Sequence, residues 1–370
     1  MPSSVSSSPT SSPQLIKTKT YKKSFHIEIG IFILFLCLTI PILIILTLIY
    51  RRQTLTLSTT KSSFNKHFQH ISLINYPQAL CMDNSIASYY IRLANNNHSY
   101  WLIYFDGGWF CYSNESCEFR RQYSPNLITS ISFNSNKKLF TGIFSSFKQY
   151  NIIYVPYCSS DLWSGSSNQT NSHGYDIFHA IFHHKKYFFN AKQIIFTGFS
   201  AGGLSLLLNL PDLLRKFSLH IDIRVIIDSA RFIDYPSNPN GISKINQGMI
   251  YWNTQTSNLC KLEPRYKCLL GSEAIKYFPL YVKIFIIQSL FDFIQLQLDE
   301  INLNSYDFSL KLRDNLYQSS HRISIFAPSC TLHGFLFRSV WSKYDIEQRT
   351  LASALNLWLK RKKKFPSKIN

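Results

Sequence analysis

Apolar residues along this chain fall in short runs whose spacing changes from one run to the next. Runs rich in β-branched and aromatic residues occupy 89–93, 100–105, 151–156, 193–196, 221–227, 283–288 and 322–326. Their length and composition predict strands. Residues 175–187, 204–210 and 345–359 instead carry apolar side chains at helical spacing. The first two strands flank Asn95-Asn96-Asn97, which predicts a hairpin. Strands alternating with helices predict an α/β fold, a mostly parallel sheet with helices on both faces. Residues 230–281 break the pattern with prolines, asparagines and two cysteines, and are expected to form a cap-like insertion over the sheet.

The N-terminal region follows another pattern. Ile29 to Tyr50 is 22 residues without a charged side chain, long enough as a helix to cross a bilayer. Pro41 is tolerated in such a helix. Lys17, Lys19, Lys22 and Lys23 precede the span and Arg51 and Arg52 follow it, which favours a cytoplasmic N-terminus. The span exceeds the usual signal-peptide core, and Tyr50-Arg51-Arg52 offers no small-residue cleavage site. The expected organisation is a disordered cytoplasmic tail (1–28), a transmembrane signal anchor (29–50), a stalk (51–70), an α/β domain (71–360) and a basic tail (361–370). That organisation is the expectation of a single-pass type II membrane protein with its folded domain lumenal or extracellular. A cleaved signal, giving a secreted protein, is the alternative.

Charge and cysteines refine this picture. Lys and Arg number 39 against 20 Asp and Glu, but both ends of the chain are enriched in bases, leaving an excess of eight over the body. With no nucleic-acid motif, a solvated basic surface explains this, and no nucleic-acid partner is expected. Of eight cysteines, Cys37 lies in the apolar span. Cys111/Cys117 and Cys260/Cys268 are close enough to close small loops in an oxidising compartment. The sequons at Asn97, Asn114 and Asn168 all follow the span, in keeping with that placement. No C-x-x-C occurs, and His179, His183 and His184 lack a supporting carboxylate or cysteine pattern, so they read as a surface helix. No metal or cofactor is expected, and a monomer is expected.

The candidate chemistry centres on Ile194-Ile-Phe-Thr-Gly-Phe-Ser200-Ala-Gly-Gly203, a strand running into Gly-x-Ser-x-Gly and then a helix. That order fits a nucleophile elbow, whose glycines allow the tight turn that exposes the serine. An ordinary strand-to-helix turn would look similar, so the case rests on partners for Ser200. A serine needs a base to take its proton and a carboxylate to orient the base. In hydrolases built on such sheets the three follow in the order Ser, acid, His, at the C-terminal ends of strands. After Ser200, His220 and His321 precede strands and so sit at the wrong end. His333 follows the 322–326 strand and is the expected base. Asp292 follows the strand immediately before it and is the expected acid. Asp228 follows the 221–227 strand and reads better as a residue that holds the elbow or the cap. For the oxyanion, Asp106-Gly107-Gly108-Trp109 after the 100–105 strand supplies backbone amides, together with that of Ala201.

These segments resemble the Notum and pectin acetylesterase group of α/β-hydrolases, the Notum branch most closely. The carriers are Tyr-Phe-Asp-Gly-Gly-Trp-Phe-Cys-Tyr-Ser (104–113), Val-Pro-Tyr-Cys-Ser-Ser-Asp-Leu-Trp-Ser-Gly (155–165), Gly-Phe-Ser-Ala-Gly-Gly (198–203), Asp-Ser-Ala-Arg-Phe-Ile-Asp (228–234), Leu-Phe-Asp-Phe-Ile-Gln-Leu (290–296) and Phe-Ala-Pro-Ser-Cys-Thr-Leu-His (326–333). The resemblance implies a Ser200–Asp292–His333 triad and an oxyanion hole from Gly108, Trp109 and Ala201. It implies disulfides Cys111–Cys117, Cys260–Cys268 and Cys81–Cys158, leaving Cys330 unpaired. It also implies an acyl pocket walled by Trp109, Phe110, Phe232, Leu269 and Leu270. The implied activity is a serine carboxylesterase that removes palmitoleate from an acylated secreted protein such as Wnt. An O-acetyl esterase acting on polysaccharide, or an inactive lipid-binding module, is the alternative. Two departures bear on the substrate: Arg231 replaces an aromatic, which puts a cation near the expected pocket rim, and Gly334 replaces an acidic residue after the base.

Overall fold

The computed structural model describes residues 68–360 apart from 96–98, 132–140, 184–187, 189, 216, 218–219, 235–238, 258–259, 299–304 and 320–322. The expected anchor and both tails lie outside the described residues. Among the described residues no helix is long and apolar enough to cross a membrane.

Eight strands form the main sheet: β1 (Gln69–Ser72), β2 (Ser88–Arg92), β3 (Tyr100–Phe105), β4 (Asn151–Val155), β5 (Gln193–Phe199), β6 (Asp222–Asp228), β7 (Lys283–Ile287) and β8 (Ser324–Phe326). Their order is β1-β2-β4-β3-β5-β6-β7-β8. From β4 to β8 every neighbour is parallel, whereas β1–β2 and β2–β4 are antiparallel. The 69–72 strand takes in the last residues assigned to the stalk, because Gln69 and His70 pair with Ile91 and Tyr90 at the sheet edge.

Helices α1 (Asn114–Tyr123), α2 (Gly174–His183), α3 (Ala201–Leu214), α4 (Pro239–Tyr251), α5 (Gly271–Ala274), α6 (Phe293–Leu298), α7 (Ser305–Ser319) and α8 (Leu351–Lys360) accompany the sheet. Alternate residues of the central strands enter two separate cores. Ile103, Phe105, Ile194, Phe196, Val225 and Ile227 join the cluster that holds α2 and α3. Leu102, Tyr104, Ile195, Ile226, Phe285 and Ile287 join the one that holds α8. A sheet covered on both faces needs apolar side chains at both phases of the pleat, which is why these strands show little polar alternation.

Two expectations are corrected. β2 and β3 do not form a hairpin, because β4 lies between them, with Ile153 opposite both Ile91 and Ile103. β3 uses both of its edges for the parallel partners β4 and β5, so none is left for β2. The closing helix begins at Leu351, not 345. Asp345–Ile346 and Arg349–Thr350 pair as a small hairpin (β9, β10) around Glu347 and Gln348, both at positive φ. The inward stripe starts only with Leu351, Leu355 and Trp358.

Segment 230–281 departs from regular layering as expected, with α4, α5 and short 3-10 turns at Arg265–Leu269 and Ile275–Tyr277. Among the described residues three disulfides are present, Cys81–Cys158, Cys111–Cys117 and Cys260–Cys268, and Cys330 is a free thiol.

Candidate active site

Ser200 stands where β5 passes into α3, at φ 52° and ψ −122°. A non-glycine residue rarely adopts this backbone, and the surroundings hold it there. Its amide donates to the Asp228 carbonyl at 2.8 Å and its carbonyl opens the helix by accepting from Leu204 at 2.9 Å. The neighbouring glycines permit close packing. A Cβ on Gly198 would lie 2.3 Å from the Gly202 carbonyl oxygen, and one on Gly202 would lie 2.1 Å from that of Phe105.

The Ser200 hydroxyl is 2.8 Å from His333 Nε2, and His333 Nδ1 is 2.9 Å from both carboxylate oxygens of Asp292. An ionised carboxylate only accepts, so Nδ1 carries the ring proton and Nε2 is left to accept from the serine. Asp292 is fully buried, and further bonds fix its orientation: Gln288 Nε2 at 2.9 Å and the Ile294 amide at 3.0 Å. The structure therefore brings together the serine, histidine and acid selected by strand position.

The loop carrying His333 is held from β6. Asp228 Oδ2 accepts the amides of Phe335 and Leu336, each at 2.8 Å, and Ser229 Oγ accepts that of Gly334 at 2.8 Å. Asp228 thus supports both partners, the serine through its main chain and the histidine loop through its carboxylate. Burial pushes its carboxyl up to about 6, against the opposing pull of these amides. Gly334 sits at φ +82°, where a side chain would meet the Phe199 ring, so the backbone favours glycine at this position.

On the other side of Ser200 lies the loop after β3. Trp109 adopts φ +65°. The buried Arg120 guanidinium donates to the Gly108 carbonyl and to Ser160 Oγ, tying this loop to α1 and to the 155–165 segment. Among the described residues, the amides of Gly108, Trp109 and Ala201 have no protein acceptor, leaving them available to an oxyanion. Nothing in the sequence marked Arg120: it stands in an Arg-Arg pair, and only the fold turns one member inward.

Trp109, Phe110, Phe232, Leu269 and Leu270 all line one apolar cleft with Ser200 and Ala201 at its end. Leu162, Leu204 and Ile245 add to its apolar walls, Asp234, Tyr266 and Gln295 also line it, and its cavity of about 50 Å³ widens to about 740 Å³ of unfilled space when the open mouth is included. A second, more polar groove also reaches Ser200, lined by Gly108, Ser113, Glu115, Phe119, Ile294 and His333. The stacked rings of Trp109 and Phe110 border both spaces, with centroids 5.2 Å apart.

Arg231 is not at the rim of the apolar cleft. It is 1% exposed and donates to Asn315 Oδ1 (2.9 Å), Ser319 Oγ (2.7 Å) and the Gly271 carbonyl (3.2 Å). A buried guanidinium needs several acceptors, and α7 and the start of α5 supply them on the far side of the cap. Among the described residues no group of three His, Cys, Asp or Glu side chains could hold a metal ion.

The parallel sheet, the strained elbow and the order of Ser200, Asp292 and His333 along it define an α/β-hydrolase. The pectinacetylesterase family model matches residues 62–309. The palmitoleoyl-protein carboxylesterase NOTUM of Schmidtea mediterranea is 32% identical over 358 residues, covering 84% of this chain and 67% of that protein. The human NOTUM carboxylesterase is 27% identical, covering 75% of this chain and 63% of its own length. Among solved structures, the Wnt deacylase Notum from Drosophila superposes with a TM-score of 0.70 at 27% identity, covering 79% of this chain and 93% of that one. The chain belongs to the Notum and pectinacetylesterase family.

Proposed function

We propose that this protein is a serine carboxylesterase that removes a long acyl group, palmitoleate, from an acylated secreted protein of the Wnt kind. His333 takes the Ser200 proton as the hydroxyl attacks the ester carbonyl, and Asp292 stabilises the imidazolium that forms. The amides of Gly108, Trp109 and Ala201 receive the developing oxyanion. His333 then returns the proton to the departing alcohol, and water attacking the acyl-enzyme by the same route frees the fatty acid and Ser200. The carrying observation is the hydrogen-bonded Ser200–His333–Asp292 chain opening onto an apolar cleft. The named activities of the planarian, human and Drosophila relatives support the same reading. The test is hydrolysis of esters of increasing chain length, with Ser200→Ala as control. Rising kcat/KM with chain length supports the proposal, and a preference for acetyl would sink it.

The name of the matching family model favours a second reading, an O-acetyl esterase acting on polysaccharide. That reading leaves most of the apolar cleft without a role.

For location we infer a type II membrane protein anchored by residues 29–50, with the esterase domain outside the cytosol. The uncharged apolar run and the disulfides support this. Carbonate extraction of membranes from expressing cells is the check. Release of the full-length chain into the soluble fraction would overturn the anchor.

A further inference from the structure

Two spaces meet at Ser200, and their chemistry assigns the two halves of the ester. The apolar cleft touches Ser200 and Ala201, and His333 is absent from its walls. The second groove holds His333 beside Ser200 and runs out along α1. Leaving-group departure requires His333 Nε2 to protonate the alkoxide oxygen, so the alcohol half must lie on the side from which the imidazole is reached. The acyl half then takes the apolar cleft, with the Trp109–Phe110 stack dividing the two.

We propose that this groove is the docking site for the polypeptide that carries the esterified hydroxyl, with Phe119 and Glu115 as its specificity-determining residues. The proposal rests on the esterase reading above. Phe119 is 63% exposed and packs on Tyr123, itself 62% exposed, with ring centroids 4.4 Å apart. Two large exposed aromatics on one turn of a helix beside the nucleophile form an apolar step for a side chain of the bound segment. Glu115 lines the same groove, fully exposed, and its own amide and Ser113 hold its carboxyl below the usual value, so it stays anionic. The other charged group in the wall, Arg120, is buried and engaged with Gly108 and Ser160. The accessible charge is therefore negative. It favours a segment with a Lys or Arg near the acylated residue, chemistry that a peptide provides and a neutral polysaccharide does not.

The experiment keeps the acyl group constant and changes the alcohol. The full chain is assayed on 4-nitrophenyl octanoate and on a twelve-residue peptide bearing O-octanoyl-serine, with a lysine two residues away. The same peptide with glutamate in place of lysine is the companion. Phe119→Ala should lower the ratio of kcat/KM for peptide over aryl ester by about tenfold, as expected for losing a partly buried aromatic contact. Glu115→Lys should reverse the preference for the lysine peptide over the glutamate peptide. A ratio unmoved by both variants while Ser200-dependent turnover persists would overturn the docking proposal alone. Absence of Ser200-dependent turnover on every ester would overturn the esterase reading and this proposal together. A Phe119→Ala loss seen on an O-octanoylated oligosaccharide but not on the peptide would replace the polypeptide with a glycan as occupant.

Discussion

The C-terminal edge of the parallel strands and the cap segment 230–281 converge on Ser200, and they are built on opposite principles. At the strand edge each side chain that matters is buried and held by directed bonds. Ser200 is pinned by the Asp228 carbonyl, Asp292 by Gln288 and a backbone amide, and the His333 loop by Asp228 and Ser229. The cap contributes mainly side-chain surface: Phe232, Leu269 and Leu270 meet the cleft from a loop and a 3-10 turn, and its polar pair in the same wall, the Tyr266 hydroxyl and the Asp234 carboxylate, is bonded to itself and not to the triad. Proton transfer needs fixed distances and angles, whereas holding a hydrocarbon chain needs only area withdrawn from water. The strand edge should therefore set the rate for every ester, and the cap should set which ester is preferred.

The largest effect that sharpens this contrast is loss of the nucleophile. Ser200→Ala should reduce kcat by about 10⁵-fold or more, equally for short and long acyl groups. Asp292→Asn comes next. It keeps the shape but allows the wrong imidazole tautomer, and about 10³- to 10⁴-fold in kcat should disappear with KM little changed. A stopped-flow or endpoint assay with a chromogenic ester series reads both. A loss that depended strongly on chain length would break the division between edge and cap.

Asp228→Asn tests whether positioning matters as much as chemistry. The amide keeps one acceptor oxygen but loses the charge that gathers the Phe335 and Leu336 amides, so the His333 loop should loosen and kcat fall by roughly 10- to 100-fold. Stability should move the other way at neutral pH. Burial raises the Asp228 carboxyl to about 6, above the value of 3.8 for an unperturbed aspartate. The folded state therefore binds this proton more tightly than the unfolded chain. The buried charge costs about 3 kcal/mol above pH 6, and this cost disappears as pH falls toward 4. Wild type minus Asp228→Asn stability should accordingly rise between pH 7 and pH 4. Denaturant titrations across that range provide the measurement, and a flat difference would mean that the carboxylate is stabilised by its amides as well as water would stabilise it.

The same contrast governs what could be read from the sequence. Strand-edge residues were legible because a turn after a buried strand leaves local marks: Gly-x-Ser-x-Gly, the glycine pair at 107–108, and an aspartate and a histidine at the ends of successive strands. The strand neighbours were less so. The 95–97 turn carried no information that β4 would insert beside β3, since long-range pairing is decided by which edges remain free. Asp228 was visible as a strand-end aspartate, but its grip on the loop 107 residues later was not. Arg231 shows the limit most clearly. Its standing where the resembled family has an aromatic suggested the pocket rim, yet the acceptors on α7 draw the guanidinium into a buried network away from the cleft.

The smallest expected effects belong to the cap, and they are the most discriminating. Leu269 and Leu270 are 2% and 5% exposed and bound the cleft from the 3-10 turn and its cap. Leu270→Ala should remove part of the surface that an acyl chain would cover, costing about 1 kcal/mol of binding in the transition state, or roughly fivefold in kcat/KM, for a sixteen-carbon ester. An acetyl ester reaches only the end of the cleft near Ser200 and should change by less than twofold. Phe232→Trp should act in the opposite geometric sense, filling the cleft and shortening the optimal chain without slowing acetyl turnover. If either substitution reduced all chain lengths in proportion, the cap would be acting through the strand edge, and the division of labour drawn from the geometry would fail. If the loss grew with each added methylene, the cap would be a ruler for the acyl chain, separate from the machinery that breaks the ester.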